Sequence, residues 1–267
     1  LSIPNWKLPE GVSRGTWDYL QSDSIAKDYD LYFRDSEMMR LDQDFVQRYL
    51  PANNSKDAPP VIADLGCGTG RISRMLSPMG YRMINVDLSP AMLAELERNC
   101  QYPQLNECIC ANLVELSGVL QPQSISMAVC LFSSIGMIRG RKNRQRFLQA
   151  VGQALRPAAN LIVHVHNRYH SLWHPSGPSW LLGTWLRSRW KTEWEFGDRV
   201  YVYRGLPAMF LHIYSRRELI QDLKAAGFTS IQVFPINVPG NALLPDRFPT
   251  GLRAGGFFAI ASHPNDQ

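Results

Sequence analysis

The stretch VIADLGCGTGRIS at residues 61–73 constrains this chain more than any other. An apolar run suited to a buried strand ends in glycines at 66, 68 and 70, and a helical pattern follows over Arg71 to Met79. Without a Cβ at those positions the chain can turn sharply and a ligand can touch the main chain. Amide N–H groups at such a helix start are expected to point outward unpaired. In open α/β sheets, ligands gather there, outside the carboxyl ends of the strands. Asp87 follows Gly66 by 21 residues and ends the next apolar run, where a carboxylate can accept both hydroxyls of a ribose.

The neighbouring residues narrow the ligand. A P-loop needs Gly-Lys-Ser/Thr, and none follows. A dinucleotide fingerprint needs a glycine where Arg71 stands, and gives no reason for Asp64. A carboxylate beside the loop repels a pyrophosphate and suits an ammonium group. The expected ligand therefore carries a ribose and a cation and lacks phosphate. S-adenosylmethionine, with its adenosine, sulfonium and amino acid end, has these features.

The rest of the chain alternates strand and helix. Residues 12–50 have helical spacing of apolar side chains, and ANNSKDAPP at 52–60 reads as a linker. Strands are expected at 61–65, 82–86, 107–110, 126–132 and 161–165, with helices after the glycine turn, from Ser89-Pro90, and over 142–155. This order indicates a parallel sheet covered by helices on both faces, a doubly wound α/β fold. Residues 168–210 break the rhythm and hold five of the seven tryptophans. RVYVYRG and MFLHIY there suit an antiparallel pair, and the segment reads as an insertion covering the carboxyl edge of the sheet. Beyond it, Ser215 with Glu218 forms a capping box, and IQVFPI and FFAIAS close the chain as strands. A single domain is expected over 1–267, with an N-terminal helical segment at 1–57 and an inserted lid at 168–210.

ADLGCGTG, the acidic NVDLS and the helix-opening SPAML resemble the class I S-adenosylmethionine-dependent methyltransferases. The likeness covers about residues 58–166 and 215–262. It implies a mostly parallel seven-stranded sheet, S-adenosylmethionine as methyl donor, and S-adenosylhomocysteine as product. By that pattern Gly66, Cys67, Gly68 and Gly70 form the loop, with Gly66 and Gly68 along the methionine part. Asp64 approaches the amino group, and Asp87 holds the ribose with Leu88 against the adenine. Asn112 stands where the family often has an acidic residue meeting the adenine amino group, with Leu113 beside it. Leu131 and Phe132 fall near the sulfonium. Tyr29 and Tyr32 precede the first strand, where several small-molecule members close a tyrosine over the donor.

Methyl transfer from a sulfonium is an in-line displacement in which alignment supplies much of the rate, so no obvious triad is expected. His164 and His166 share one side of the fifth strand. His166 and Asn167, at the strand end, are candidates to face the acceptor. Tyr203, Arg204 and His212 fit a lid over an acidic or phenolic acceptor, although a structural role competes for each. The tryptophans suit a small core of their own or a stack on the acceptor. No metal site is expected, because the histidine pair has no carboxylate or cysteine at ligand spacing.

The 267 residues, with 45 % hydrophobic composition, suffice for a full core without disulfides or metal. Five cysteines form no paired framework, which suggests free thiols and a cytoplasmic setting, and no apolar run is long enough for a membrane helix. A net charge of +5 and the segment IRGRKNRQRF at 138–147, with five cations and no acid, keep RNA open as a partner. A solvated helix face is the ordinary explanation of that segment. The reading is a methyltransferase for a small-molecule N or O acceptor. CLFSSIGM resembles a stretch of some small-molecule N-methyltransferases. MFLHIYSRRELIQDLKAAGF resembles the tail of enzymes that modify a wobble uridine of tRNA, the alternative reading. A non-catalytic S-adenosylmethionine-binding subunit is the third.

Overall fold

The computed structural model describes residues 4–54, 58–247 and 249–263. Part of the linker at 52–60 and both extreme ends lie outside the described residues. Three helices come first: α1 (Arg14–Leu20), α2 (Asp23–Tyr32) and α3 (Glu37–Arg48). Ser13, Ser22 and Ser36 open them, each hydroxyl accepting an N–H of the first turn. The alternating part runs β1 (Val61–Leu65), α4 (Arg71–Leu76), β2 (Arg82–Asp87), α5 (Pro90–Arg98), β3 (Asn106–Cys110), β4 (Ile125–Cys130), α6 (Arg141–Ala154) and β5 (Leu155–His166). Then come α7 (Gly177–Trp190) and a hairpin of β6 (Asp198–Tyr203) and β7 (Leu206–His212). The chain finishes through α8 (Arg216–Ala225), β8 (Ser230–Ile236), α9 (Thr250–Arg253) and β9 (Gly256–Ser262).

Seven strands form one sheet in the order β3-β2-β1-β4-β5-β9-β8, with β9 antiparallel to both neighbours. The order reverses between β1 and β4, so a crevice opens at their carboxyl ends. Alternate residues feed two cores. Ala63, Leu65, Leu161, Val163 and Val165 pack with α6 and α8. Ile62, Met127, Val129 and Ile162 pack on the other face with Leu41, Phe45 and Val46 of α3 and with α4. Phe45 stacks on Phe258 at 4.0 Å between centroids, fixing α3 to the sheet.

The same alternation sends His164 toward α3, where its Nδ1 lies 2.7 Å from the buried Asp42 carboxylate. Asp42 also accepts from Arg71 at 2.9 Å, and Arg71 donates to the Met39 carbonyl at 2.8 Å. Thr69 donates to Asp30 at 2.6 Å, and Arg74 pairs with the same carboxylate. These bonds hold α2 and α3 against the glycine loop.

Two expectations about the surface are corrected. The cations of 138–147 are mostly engaged rather than free, although Arg141, Lys142 and Arg146 remain exposed. Arg144 is fully buried and pairs with Glu195 at 2.6 Å, Arg141 donates to Asp222, Arg146 pairs with Glu10, and Arg139 lies over the Trp194 and Phe210 rings. Sequence proximity showed no acid because the partners come from α8, the N-terminal segment and the loop before β6. The insertion's tryptophans form no core: Trp173, Trp185 and Trp190 are exposed, and Trp180 and Trp194 half-buried.

Within the insertion, β7 packs tightly on α1. A Cβ on Gly15 would sit 2.7 Å from the Met209 nitrogen and closer still to the Ala208 carbonyl. Gly15→Ala should therefore cost about 1–3 kcal/mol of stability through overpacking. Urea unfolding would read it, and an unchanged midpoint would show that α1 does not rest on the hairpin.

Candidate active site

A single continuous cleft covers the carboxyl ends of β1, β2 and β4. Its floor includes Asp64, Gly66, Cys67, Gly68, Asp87 and Leu88, and its walls include Asn112, Leu113, Leu131, Phe132 and His166. Tyr29 of α2, Tyr19 of α1, and Tyr201 and Tyr203 of β6 also line it.

The loop differs from expectation in one respect. Its amides point inward: Gly66 and Cys67 donate to the Val86 carbonyl at 2.8 and 3.1 Å, and Gly70 donates to Cys67. Gly68 donates to Asp87 at 2.9 Å. These glycines offer bare surface rather than free donors. Gly66 adopts φ +81, and a Cβ there would meet Ser134 at 2.8 Å. Gly68, at φ +54, faces Tyr29 across open space, with 4.0 Å from the position of a Cβ to the ring. The glycine amides are thus engaged, while among the described residues the Thr69 amide and the first-turn amides of Arg71, Ile72 and Ser73 have no hydrogen-bond partner.

Asp87 accepts from Gly68 through one oxygen and from Ser89 at 2.8 Å through the other. Both oxygens keep a further lone pair toward the cleft. Burial raises its pKa, and the Ser89 and Gly68 amides oppose that rise. Asp64 is buried, and among the described residues no group donates to its carboxylate. Burial first, then the Asp87 and Asp42 charges, push its pKa up to about 7, while Arg71 opposes them. An unpartnered buried carboxylate beside a bare loop fits the ammonium end of S-adenosylmethionine, and Asp87 fits its ribose. Asn112 donates to the Glu10 carbonyl and accepts from Val114 at 3.1 Å, which leaves one amide lone pair for an adenine amino group.

Phe132 and Ser133, after β4, both take left-handed backbone at φ 51 and 63. Non-glycine residues pay for that conformation, and such strain clusters at functional sites. Phe132 packs edge-on against Phe33 at 5.2 Å and lies 6.4 Å from His166.

Four predicted residues lie elsewhere. Gly70 caps α4 and turns its bare side to Leu96, away from the cleft. Tyr32 is exposed, and its ring carries the Arg204 guanidinium at 4.5 Å, so it clasps the hairpin turn to α2. Asn167 is spent on the Gly251 and Ala254 carbonyls and the Tyr169 amide. His212 is fully buried between Asp198 at 2.7 Å and Glu218 at 3.1 Å. Burial, with Arg144 nearby, lowers its pKa well below the usual range. Glu195, His212 and Glu218 have metal-ligand spacing, yet Arg144 and Arg168 already pair with the two glutamates.

His166 remains at the cleft. Burial and the neighbouring His164 push its pKa down to about 4, and among the described residues neither ring nitrogen has a hydrogen-bond partner. The sequence reading missed Tyr19 and Tyr201 and gave Tyr203 no firm place. Tyr19 and Tyr203 meet edge-on at 5.9 Å, and burial raises the phenols of Tyr19, Tyr29 and Tyr203. Period-two alternation in RVYVY puts Arg199, Tyr201 and Tyr203 on one side, but nothing local says which side meets the cleft.

A family model described as a methyltransferase domain matches residues 62–158. A protein named as a methyltransferase in Geobacillus sp. (strain WCH70) is 27 % identical over 128 residues, 48 % of this chain and 50 % of that protein. The chain thus spans about half the length of the curated relatives it matches. The crystal structure of a SAM-dependent methyltransferase from Methanosarcina mazei aligns with a TM-score of 0.62 at 21 % identity, covering 83 % of this chain and 98 % of that one. Haemonchus contortus phosphoethanolamine N-methyltransferase 2, solved with phosphomonomethylethanolamine and S-adenosylhomocysteine, aligns at 0.61 and 13 % identity, over 91 % and 58 % of the two chains. The protein has the class I S-adenosylmethionine-dependent methyltransferase fold, and its residues 62–158 match the model of a methyltransferase domain. S-adenosylmethionine is the cofactor that such a domain takes.

Asp64→Asn should weaken S-adenosylmethionine binding by roughly 1.5–3 kcal/mol, the scale of a charge-assisted hydrogen bond, and Asp87→Ala by a similar amount. The ammonium needs the ionised form of Asp64, so wild-type affinity should rise as pH increases through about 7, with proton release on binding. Calorimetry across that range checks both points. A wild-type affinity flat with pH, or an Asp64→Asn profile that keeps the slope, would remove Asp64 from the ammonium site.

Proposed function

We propose that the protein transfers a methyl group from S-adenosylmethionine to the nitrogen or oxygen of a small-molecule acceptor enclosed in the cleft. The observation that carries this reading is the continuity of one cavity from Asp64 and Asp87 to His166, under a roof of four tyrosines. That roof favours a small acceptor group over a polymer surface. The methyl donor supplies an activated carbon on a good leaving group. The chain's own work is alignment, exclusion of water and care of one proton.

Asp64, Gly66, Gly68 and Asp87 set the donor's position. Tyr19, Tyr29 and Tyr203 close over it from α1, α2 and β6, as a lid formed by part of 168–210 would. Aromatic faces stabilise a nearby cation, which suits a sulfonium. Phe132, held in its left-handed turn, orients this region. S-adenosylmethionine, when bound, would supply the methyl carbon and keep the electrons of the broken carbon–sulfur bond on sulfur as the acceptor's lone pair bonds to that carbon. A proton left on the acceptor then passes by way of a ring nitrogen of His166, which burial keeps neutral and only weakly basic, so the proton moves on to solvent rather than resting there.

The wobble-uridine reading loses its electrostatic support, because Arg141, Arg144 and Arg146 are already paired with carboxylates.

His166→Ala should lower turnover about 100-fold or more, the range for a positioned acid–base group, while donor affinity changes little. For the wild type, protonation of His166 stops it acting as base, so its contribution holds above the folded pKa and fails as pH falls through about 4. Turnover and calorimetry on the same variant check this. Equal losses in both would assign His166 to structure instead.

A further inference from the structure

A second chamber lies on the far side of His166, Tyr201 and Leu211, and those three residues line both cavities. The hairpin builds the shared wall. Tyr201 pairs with Met209 and Arg199 with Leu211 across β6 and β7. The paired residues Tyr201, Arg199, Met209 and Leu211 therefore share one face, and beyond a register irregularity Tyr203 also lines the cleft. That face runs from the donor cleft, past the neck at Tyr201 and Leu211, to Arg199 in the second chamber.

The second chamber is polar in an ordered way. At its inner end is His164, fully buried, whose Nδ1 is held by Asp42 while Nε2 has no partner. Asp42 itself is spent on His164 and Arg71. With the proton on Nδ1, between ring and carboxylate, Nε2 presents a lone pair. Gly256 carries no side chain beside it; a Cβ there would stand 3.4 Å from Nε2. Toward the outside are Arg199 and His170. Arg199 lies over the Trp180 ring at 5.6 Å, and among the described residues no carboxylate pairs with it. The lining contains no aspartate or glutamate. His166 at the neck, with neither ring nitrogen partnered among the described residues, and an uncompensated guanidinium toward the outside define a bipolar ligand. Its N–H or O–H meets His166, and its anion meets Arg199, while the enclosed His164 backs the wall between them.

We propose that this second chamber is the acceptor's seat, and that the acceptor is a small amine or alcohol carrying a carboxylate or phosphate. Arg199 holds the anionic group, His166 accepts from the N–H or O–H at the neck, and the reacting atom reaches the donor there. The proposal rests on the methyltransferase reading and adds the charge of the acceptor to it.

The test uses the full chain loaded with S-adenosylhomocysteine and three matched probes: phenethylamine, and phenethylamine bearing a ring carboxylate or a ring phosphate. Calorimetry should show at least one anionic probe binding about tenfold or more tighter than phenethylamine, the scale of a charge-assisted hydrogen bond. Which anionic probe leads distinguishes carboxylate from phosphate. Arg199→Gln should remove that preference. Arg199 is exposed, so the variant should fold, and retained S-adenosylhomocysteine binding will report it. Three equal affinities, no probe binding to a loaded protein, or a preference that survives Arg199→Gln would each overturn the proposal. Failure to bind S-adenosylhomocysteine at all would overturn the methyltransferase reading instead.

Discussion

The carboxylate of Asp87 is the tie on which the donor site depends. It closes the end of β2 onto the glycine loop through the Gly68 amide and onto the head of α5 through the Ser89 amide. One side chain thereby fixes the floor of the cleft and keeps lone pairs for a ribose. Around it the loop commits the Gly66, Cys67 and Gly70 amides to the Val86 and Cys67 carbonyls. The floor is left bare and acidic, which suits a cation better than an anion.

Two charge systems of different kinds support that floor. On the α3 side, Arg71, Asp42 and His164 link the first turn of α4 to the end of β5. On the α6 side, Arg144, Arg168, Glu195, Asp198, His212 and Glu218 bury a denser cluster beneath the insertion. Removing one member of such a cluster leaves its partner charge buried and unpaired, at a cost of about 3–5 kcal/mol. The clusters serve different ends. The first leaves one nitrogen, His164 Nε2, buried and without a partner behind the wall of a cavity. The second encloses His212 on both ring nitrogens and gives it no face toward a substrate.

Much of the cleft floor was legible because its parts are local. Asp64, the glycines and Asp87 sit at strand ends, where apolar runs stop and glycines begin, and their spacing is short enough to read. The acceptor side was less legible. His212 looked available because Asp198 and Glu218, its partners, could not be recognised as such from linear order. Tyr32 and Tyr29 lie three residues apart on one helix, and only packing decides that Tyr29 faces the loop while Tyr32 clasps Arg204. Asn167 stands one residue beyond His166, and the alternation at the strand end turns it onto carbonyls near α9.

From the sequence alone came the doubly wound order, the crevice at the ends of β1 and β4, and the charge of the ligand expected there. These follow from apolar runs, glycine conformation and the placement of two carboxylates, all properties of short segments. Tertiary structure decided which amides were already spent, which cations found acids, and which face of the hairpin became the roof. Hydrogen-bond partners and buried ion pairs join residues 50 to 120 positions apart, as Arg144 joins Glu195 and His164 joins Asp42. No local pattern encodes those partnerships, because they come into being only when the packed chain brings them within a few ångströms.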